Sequence, residues 1–141
     1  MKSLDLTVQP PRTPREQLDG LIFLPRSIDK VRATLPGGNP GAYRIEGLTQ
    51  AMLETLGVPL DAFTLAVSAA DDDDEVAAFL REQAPRSKYA TWNAVLCARE
   101  PRGGNRAEAL TVYPWLAERP DLVLVLDVLE EDDKRSFSAT R

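Results

Sequence analysis

D-L-V-L-V-L-D-V-L, residues 121–129, is the stretch whose reading decides the fold of this chain. It is β-branched and almost continuously apolar, as a buried strand would be. No other segment of the 141 residues offers it an obvious partner strand. Pro120 and Asp121 also stand where a helix starts, with Leu122, Val123, Leu126 and Leu129 following at helical spacing. We read the segment as helix, with a strand as the alternative. The expected fold class is then all-α, a compact bundle of about six to eight short helices in one globular domain, residues 1–141.

The rest of the chain supports helices separated by turn residues. In L-P-R-S-I-D-K-V-R-A-T-L, residues 24–35, Leu24, Ile28, Val31 and Leu35 recur at spacings of four, three and four. P-G-G-N-P-G, residues 36–41, ends that helix in a loop. Upstream, T-P-R-E (residues 13–16) has the form of a capping box: Thr13 as cap, Pro14 at the first helical position, and Glu16 three residues after the cap. Leu18, Leu21 and Ile22 follow it, so a first helix is expected there, kinked or restarted at Pro25. Downstream, one stripe is Leu48, Met52, Leu53 and Leu56, with Gly57 as its stop. Pro59 opens the next, which turns Phe63, Ala66 and Val67 inward. Asp71 to Asp74 lead into a helix carrying Val76, Phe79 and Leu80. Ser87 is placed to cap a helix through Trp92, Val95, Leu96 and Arg99, and Asn105 one from Ala107 to Ala117, bent at Pro114.

Composition narrows the chemistry. With 43% hydrophobic and 28% charged residues the chain has the makings of a globular protein. It contains no histidine, so neither a Ser-His-Asp nor a Cys-His arrangement can form, and the commonest general base near neutral pH is missing. Its single cysteine, Cys97, allows no disulfide within the chain and is expected to be a buried structural thiol. No metal site and no cofactor are expected. M-K-S-L-D-L-T-V has no apolar run behind its lysine, so no signal peptide is expected. The longest purely apolar run, Leu122 to Leu126, is too short for a membrane span. A cytoplasmic location, away from membranes, is the expectation.

Charge is spread unevenly. Residues 1–45 hold seven basic residues against four acidic ones, while the remainder holds ten against eighteen. On the helix from Leu24, Arg26 and Lys30 lie one turn apart, opposite the apolar stripe. Asp29 is three residues from both Arg26 and Arg32 and can pair with either. Arg32 sits at the edge of the stripe, where its stem can lie on the core. The plain reading is a solvated, salt-bridged face. The functional reading is an anion site in which Arg12, Arg15, Arg26, Lys30 and Arg32, with Asp29 among them, converge. A second basic group, Arg99, Arg102 and Arg106, stands around Gly103-Gly104 with Tyr89 and Trp92 near it in sequence, a composition that also suits phosphate or a nucleic-acid strand. D-D-D-D-E, residues 71–75, lacks the alternating ligands of a calcium loop and reads as a helix start. Glu130 to Asp133 read as a solvated tail.

D-L-T-V-Q-P-P-R-T-P-R-E-Q-L-D-G, residues 5–20, followed by L-P-R-S-I-D-K-V-R-A, residues 24–33, resembles a family of small bacterial proteins, domain of unknown function family 5069. The similarity continues through residues 53–63 and 74–80, fades after about residue 90, and returns in D-V-L-E-E-D-D-K-R-S-F, residues 127–137. It departs at E-G-L-T-Q-A-M, residues 46–52. The resemblance implies a compact helical bacterial protein and no catalytic residues. It also places Arg12, Arg15, Arg26, Asp29, Lys30 and Arg32 inside the shared pattern.

The function expected on these grounds is a non-catalytic binding module for an acidic small molecule or protein, with nucleic acid as a weaker option. An enzyme using carboxylate or lysine chemistry around Asp29 is the alternative; cations flanking that carboxylate would make it a weak base. A structural protein acting through homo-oligomers, a homodimer first among them, is the third.

Overall fold

The structure, a computed structural model, describes residues 1–138 and divides into two compact units, Met1–Asn93 and Ala94–Arg141. Among the described residues it is mostly α-helical, as expected. No single helix among them is long and apolar enough to cross a membrane.

The first unit opens with a departure from expectation. T-P-R-E starts no helix: Thr13 Oγ1 accepts the Arg15 N–H at 3.1 Å and its carbonyl accepts the Glu16 N–H at 3.2 Å, which makes a turn. A two-stranded antiparallel hairpin follows, β1 (Gln17–Leu18) and β2 (Leu21–Ile22), pairing Gln17 with Ile22 and Leu18 with Leu21. Asp19 and Gly20 form its turn with φ of 55° and 82°. Asp-Gly is favoured in that two-residue turn because both positions need positive φ, and it overrode the capping-box signal. The hairpin is also clamped from outside. Asn93 Oδ1 accepts the Ile22 N–H at 3.0 Å, Asn93 Nδ2 donates to the Gly20 carbonyl at 2.8 Å, and Trp92 Nε1 donates to the Ile22 carbonyl at 3.0 Å.

Helix α1, Leu24–Thr34, holds Pro25 in its first turn, where a missing N–H costs nothing. Its stripe Leu24, Ile28 and Val31 is fully buried, and so are Pro25, Arg26, Ser27 and Asp29, so the helix is covered on nearly every side. Helix α2, Leu48–Leu56, stops at Gly57, whose φ of 75° suits glycine at a helix end. Helix α3, Leu60–Ala69, buries Phe63 and Val67, and its last turn is capped by the Met1 nitrogen, 2.6 Å from the Ala70 carbonyl. Helix α4, Asp73–Gln83, begins at the acidic run as expected. Asp72 Oδ1 accepts the Glu75 N–H at 3.0 Å while Glu75 Oε2 accepts the Asp71 N–H at 2.9 Å, a reciprocal cap. Helix α5, Arg86–Ala98, brings Trp92 and Asn93 to the hairpin.

In the second unit a tight turn, Pro101–Gly104, leads to α6, Arg106–Val112, capped by Asn105 as expected: its Oδ1 accepts the Glu108 N–H at 3.1 Å. Pro114 ends that helix and begins a short 3-10 turn, Pro114–Glu118. The deciding segment is helical: α7 runs Val125–Ser138 and the strand alternative falls. It starts later than Asp121, because the Arg119–Asp121 ion pair at 3.0 Å and a Leu122 N–H to Arg119 carbonyl bond hold residues 119–122 in a turn. Ala109, Leu116 and Val128 form the local core, with Leu110, Tyr113, Trp115 and Leu122 packed on it. Residues 130–133 are part of α7 and engaged: Trp115 Nε1 donates to Asp132 at 3.3 Å, and Arg135 Nε to Glu131 at 3.1 Å. Cys97 is exposed, against expectation. It follows buried Leu96 by one residue, a rotation of about 100° that carries it off the buried face.

Candidate functional site

Two arrangements form where a single basic cluster was expected. The first is an ion network around Arg12. Asp29, whose side chain is 6% exposed, accepts the Arg12 backbone N–H at 2.8 Å, Nε at 3.1 Å and Nη2 at 3.0 Å. The opposite edge of the same guanidinium meets Asp73, the first residue of α4, with Nη1 at 2.5 Å and Nη2 at 3.2 Å. Burial works against the charge on Arg12, yet hydrogen bonds and Coulomb attraction from Asp73 and Asp29 outweigh it and hold its proton more tightly than in an ordinary arginine. Arg32 lies 3.8 Å from Asp29 and donates through Nε to the Lys2 carbonyl at 2.7 Å. Arg12, Arg32 and Asp29 therefore pin the segment before the hairpin to α1 and α4. The lone pairs of Asp29 are taken up by donors, the opposite of what a general base requires.

The second arrangement is a cationic corner built on Phe23. That residue precedes α1 and has φ of 80°, ψ of −11°, a left-handed conformation rare for a bulky side chain. Its neighbours impose this geometry. The Phe23 N–H donates to the Glu16 carbonyl at 3.1 Å, its carbonyl accepts the Ser27 N–H at 2.9 Å, and its ring meets Trp92 edge-on at 6.5 Å. Arg26 and Lys30, one helical turn apart, both lie over the Phe23 ring, their charged ends 6.0 and 5.3 Å from its centre. The Arg26 guanidinium also stands 5.5 Å from the ring of Tyr43, and its Nη1 donates to the Arg12 carbonyl at 3.2 Å.

The wheel placed Arg26 in solvent beside Lys30. Arg26 is only 1% exposed, whereas Lys30 is half-buried. The difference arises because Arg12 and Tyr43, from the segments before and after α1, cover that face. Arg15 is exposed. In the second unit Arg99 and Arg102 are exposed, while Arg106 is a structural clamp that donates to the Leu116, Arg119 and Leu122 carbonyls. No group of three or more potential metal ligands assembles among the described residues. The sequence reading missed Phe23 and Tyr43. The position of Phe23 directly after the hairpin, between its second strand and α1, was the available signal; Tyr43 sits in a loop that gave none.

Residues 8–135 match a family model described as a domain of unknown function, DUF5069. No curated protein matches the chain.

Proposed function

The chain belongs to that DUF5069 family, whose description assigns no activity, and we propose that it is a non-catalytic binding module that takes an anionic group at the corner formed by Arg26 and Lys30. The observation that supports this reading is the left-handed Phe23 beneath two cations. A bulky residue in that conformation costs about 1–3 kcal/mol, and such strain concentrates at ligand sites. Two like charges drawn to one ring raise the local positive potential, which an incoming anion lowers. Half-buried Lys30 is the cation nearer solvent and would meet the anion, while Arg26, covered by Arg12 and Tyr43, adds its charge from behind. The ligand class is thus a small molecule bearing phosphate or carboxylate, met in the cytoplasm of a bacterial cell.

Calorimetric titration of the full chain with inorganic phosphate and with citrate tests the reading. Saturable binding of either is expected, weakened about ten-fold in Lys30→Gln and unchanged in Lys2→Gln. Lys30 is only half-buried, and an unchanged thermal unfolding curve for Lys30→Gln checks that the fold is retained. Absence of saturable binding to both anions, or equal affinity in Lys30→Gln, would overturn the proposal.

A further inference from the structure

The geometry points to a second ligand site, within the unit Ala94–Arg141, for a small zwitterion of the α-amino-acid class. E-P-R-G-G-N-R, residues 100–106, is sharply turned: Arg102, Gly103 and Gly104 take successive positive φ values of 54°, 65° and 91°. The turn closes on itself through a Gly103 N–H to Glu100 carbonyl bond of 3.2 Å. It forms one wall of a half-open pocket of about 140 Å³ lined by Glu100, Arg106, Pro101, Ala109, Pro120 and Val123.

Two residues of opposite charge, Glu100 and Arg106, are among its lining. The Glu100 carboxylate folds over Gly104, so closely that a Cβ at that position would stand 3.1 Å from Oε2. No hydrogen bond or ion pair among the described residues occupies that carboxylate. Arg106 is held by three carbonyls, with Nη1 donating to Leu122 at 2.6 Å and Nη2 to Leu116 and Arg119 at 3.3 and 3.2 Å. Those bonds fix the guanidinium and leave two of its five N–H groups, on Nε and Nη1, unspent. The remaining lining is apolar: two prolines, Ala109 and Val123.

This combination selects against singly charged ligands. A lone amine is attracted by Glu100 and repelled by Arg106; a lone carboxylate meets the reverse. A molecule carrying ammonium and carboxylate on one carbon satisfies both, and its side chain lies on the proline and valine surface. A pocket near 140 Å³ accepts a ligand of about six to eight non-hydrogen atoms, which spans alanine to valine. The site is independent of the Phe23 corner.

The test is an NMR titration of the full chain with L-valine, with isobutylamine and isovalerate as its singly charged analogues. Saturable shifts confined to residues 100–109 and 120–123 are expected for valine, with either analogue binding at least about ten-fold more weakly. Glu100→Gln, a change at an exposed side chain, should reduce valine affinity by about the same factor without altering the fold's spectrum. Lack of saturable shifts with valine, equal binding of isobutylamine, or unchanged affinity in Glu100→Gln would each overturn the assignment.

Discussion

Asp29 binds both the backbone and the side chain of Arg12, accepting the amide N–H at 2.8 Å and Nη2 at 3.0 Å. A single carboxylate on α1 therefore sets the path of the chain as well as the position of its guanidinium. The carbonyl of that same residue then receives Arg26 Nη1 at 3.2 Å. The network around Arg12 and the corner at Phe23 are thereby linked through one residue, Arg12.

Replacing Asp29 with asparagine should destabilise the protein by about 2–3 kcal/mol, below the usual range for breaking a buried ion pair because Arg12 is partly open to water. The side-chain exposures of 6% for Asp29 and 31% for Arg12 set that discount. Asp73→Asn should cost less, since Asp73 is 28% exposed and binds no backbone amide of Arg12. Urea unfolding with an unchanged m-value measures both; equal losses would contradict the ranking.

The hairpin turn gives a second expectation. Gly20→Ala should cost about 1–2 kcal/mol, because φ of 82° disfavours a Cβ. The added methyl would also stand 3.2 Å from Arg86 Nη1. Thermal unfolding measures it, and a neutral substitution would mean that the turn is made differently.

Asp19→Asn retains a residue suited to positive φ and removes only the charge. Slight burial pushes the Asp19 carboxyl up, but hydrogen bonds and charge from Arg81 and Arg86, with contacts of 2.8 Å to each, outweigh it and hold the carboxyl below its ordinary value. A depressed carboxyl stabilises the fold above its unfolded pKa of about 3.9, and that stability drains away as pH falls through the lower folded value. The stability gap between wild type and Asp19→Asn should thus be constant above about pH 5 and close below about pH 4. A gap independent of pH would show that the two arginines stabilise nothing through this charge.

Asn93→Ala removes two of the three clamps on the hairpin, the bonds to the Ile22 N–H and the Gly20 carbonyl. Hydrogen exchange at the Ile22 amide should accelerate by at least about ten-fold. Trp92→Phe, which loses only the 3.0 Å bond to the Ile22 carbonyl, should leave that amide protected. Identical exchange in Asn93→Ala and wild type would refute the clamp.

Native protein should expose one thiol per chain to a disulfide reagent, since Cys97 is exposed. Its rate should fall within about ten-fold of free cysteine, as for an accessible thiol. Reaction only after denaturation would place the side chain inside.

Much of the helical architecture could be read along the chain because its signals are local. Gly57 ends α2, Asp72 and Asn105 cap α4 and α6, and Leu24, Ile28 and Val31 bury where their spacing places them. The failures were contests between two local signals or between local and distant ones. T-P-R-E and D-G lie six residues apart, and the turn prevailed with the help of Asn93, more than seventy residues away. The acidic run at residues 71–75 was legible as a helix start, while the use of Asp73 to grip Arg12 was not.

The sequence by itself determined that this is a helical chain without histidine chemistry, with a basic first third and with Arg26, Asp29 and Lys30 on one helix. Periodicity and capping act over a few residues, so a linear reading reaches them. Only the tertiary structure decided which charges are consumed and which converge. Arg12 was withdrawn into an ion network by two carboxylates distant in sequence, and Arg26 was buried because separate segments closed over α1. A helical wheel shows where a side chain leaves its helix, whereas burial and charge pairing depend on what the rest of the chain lays against it.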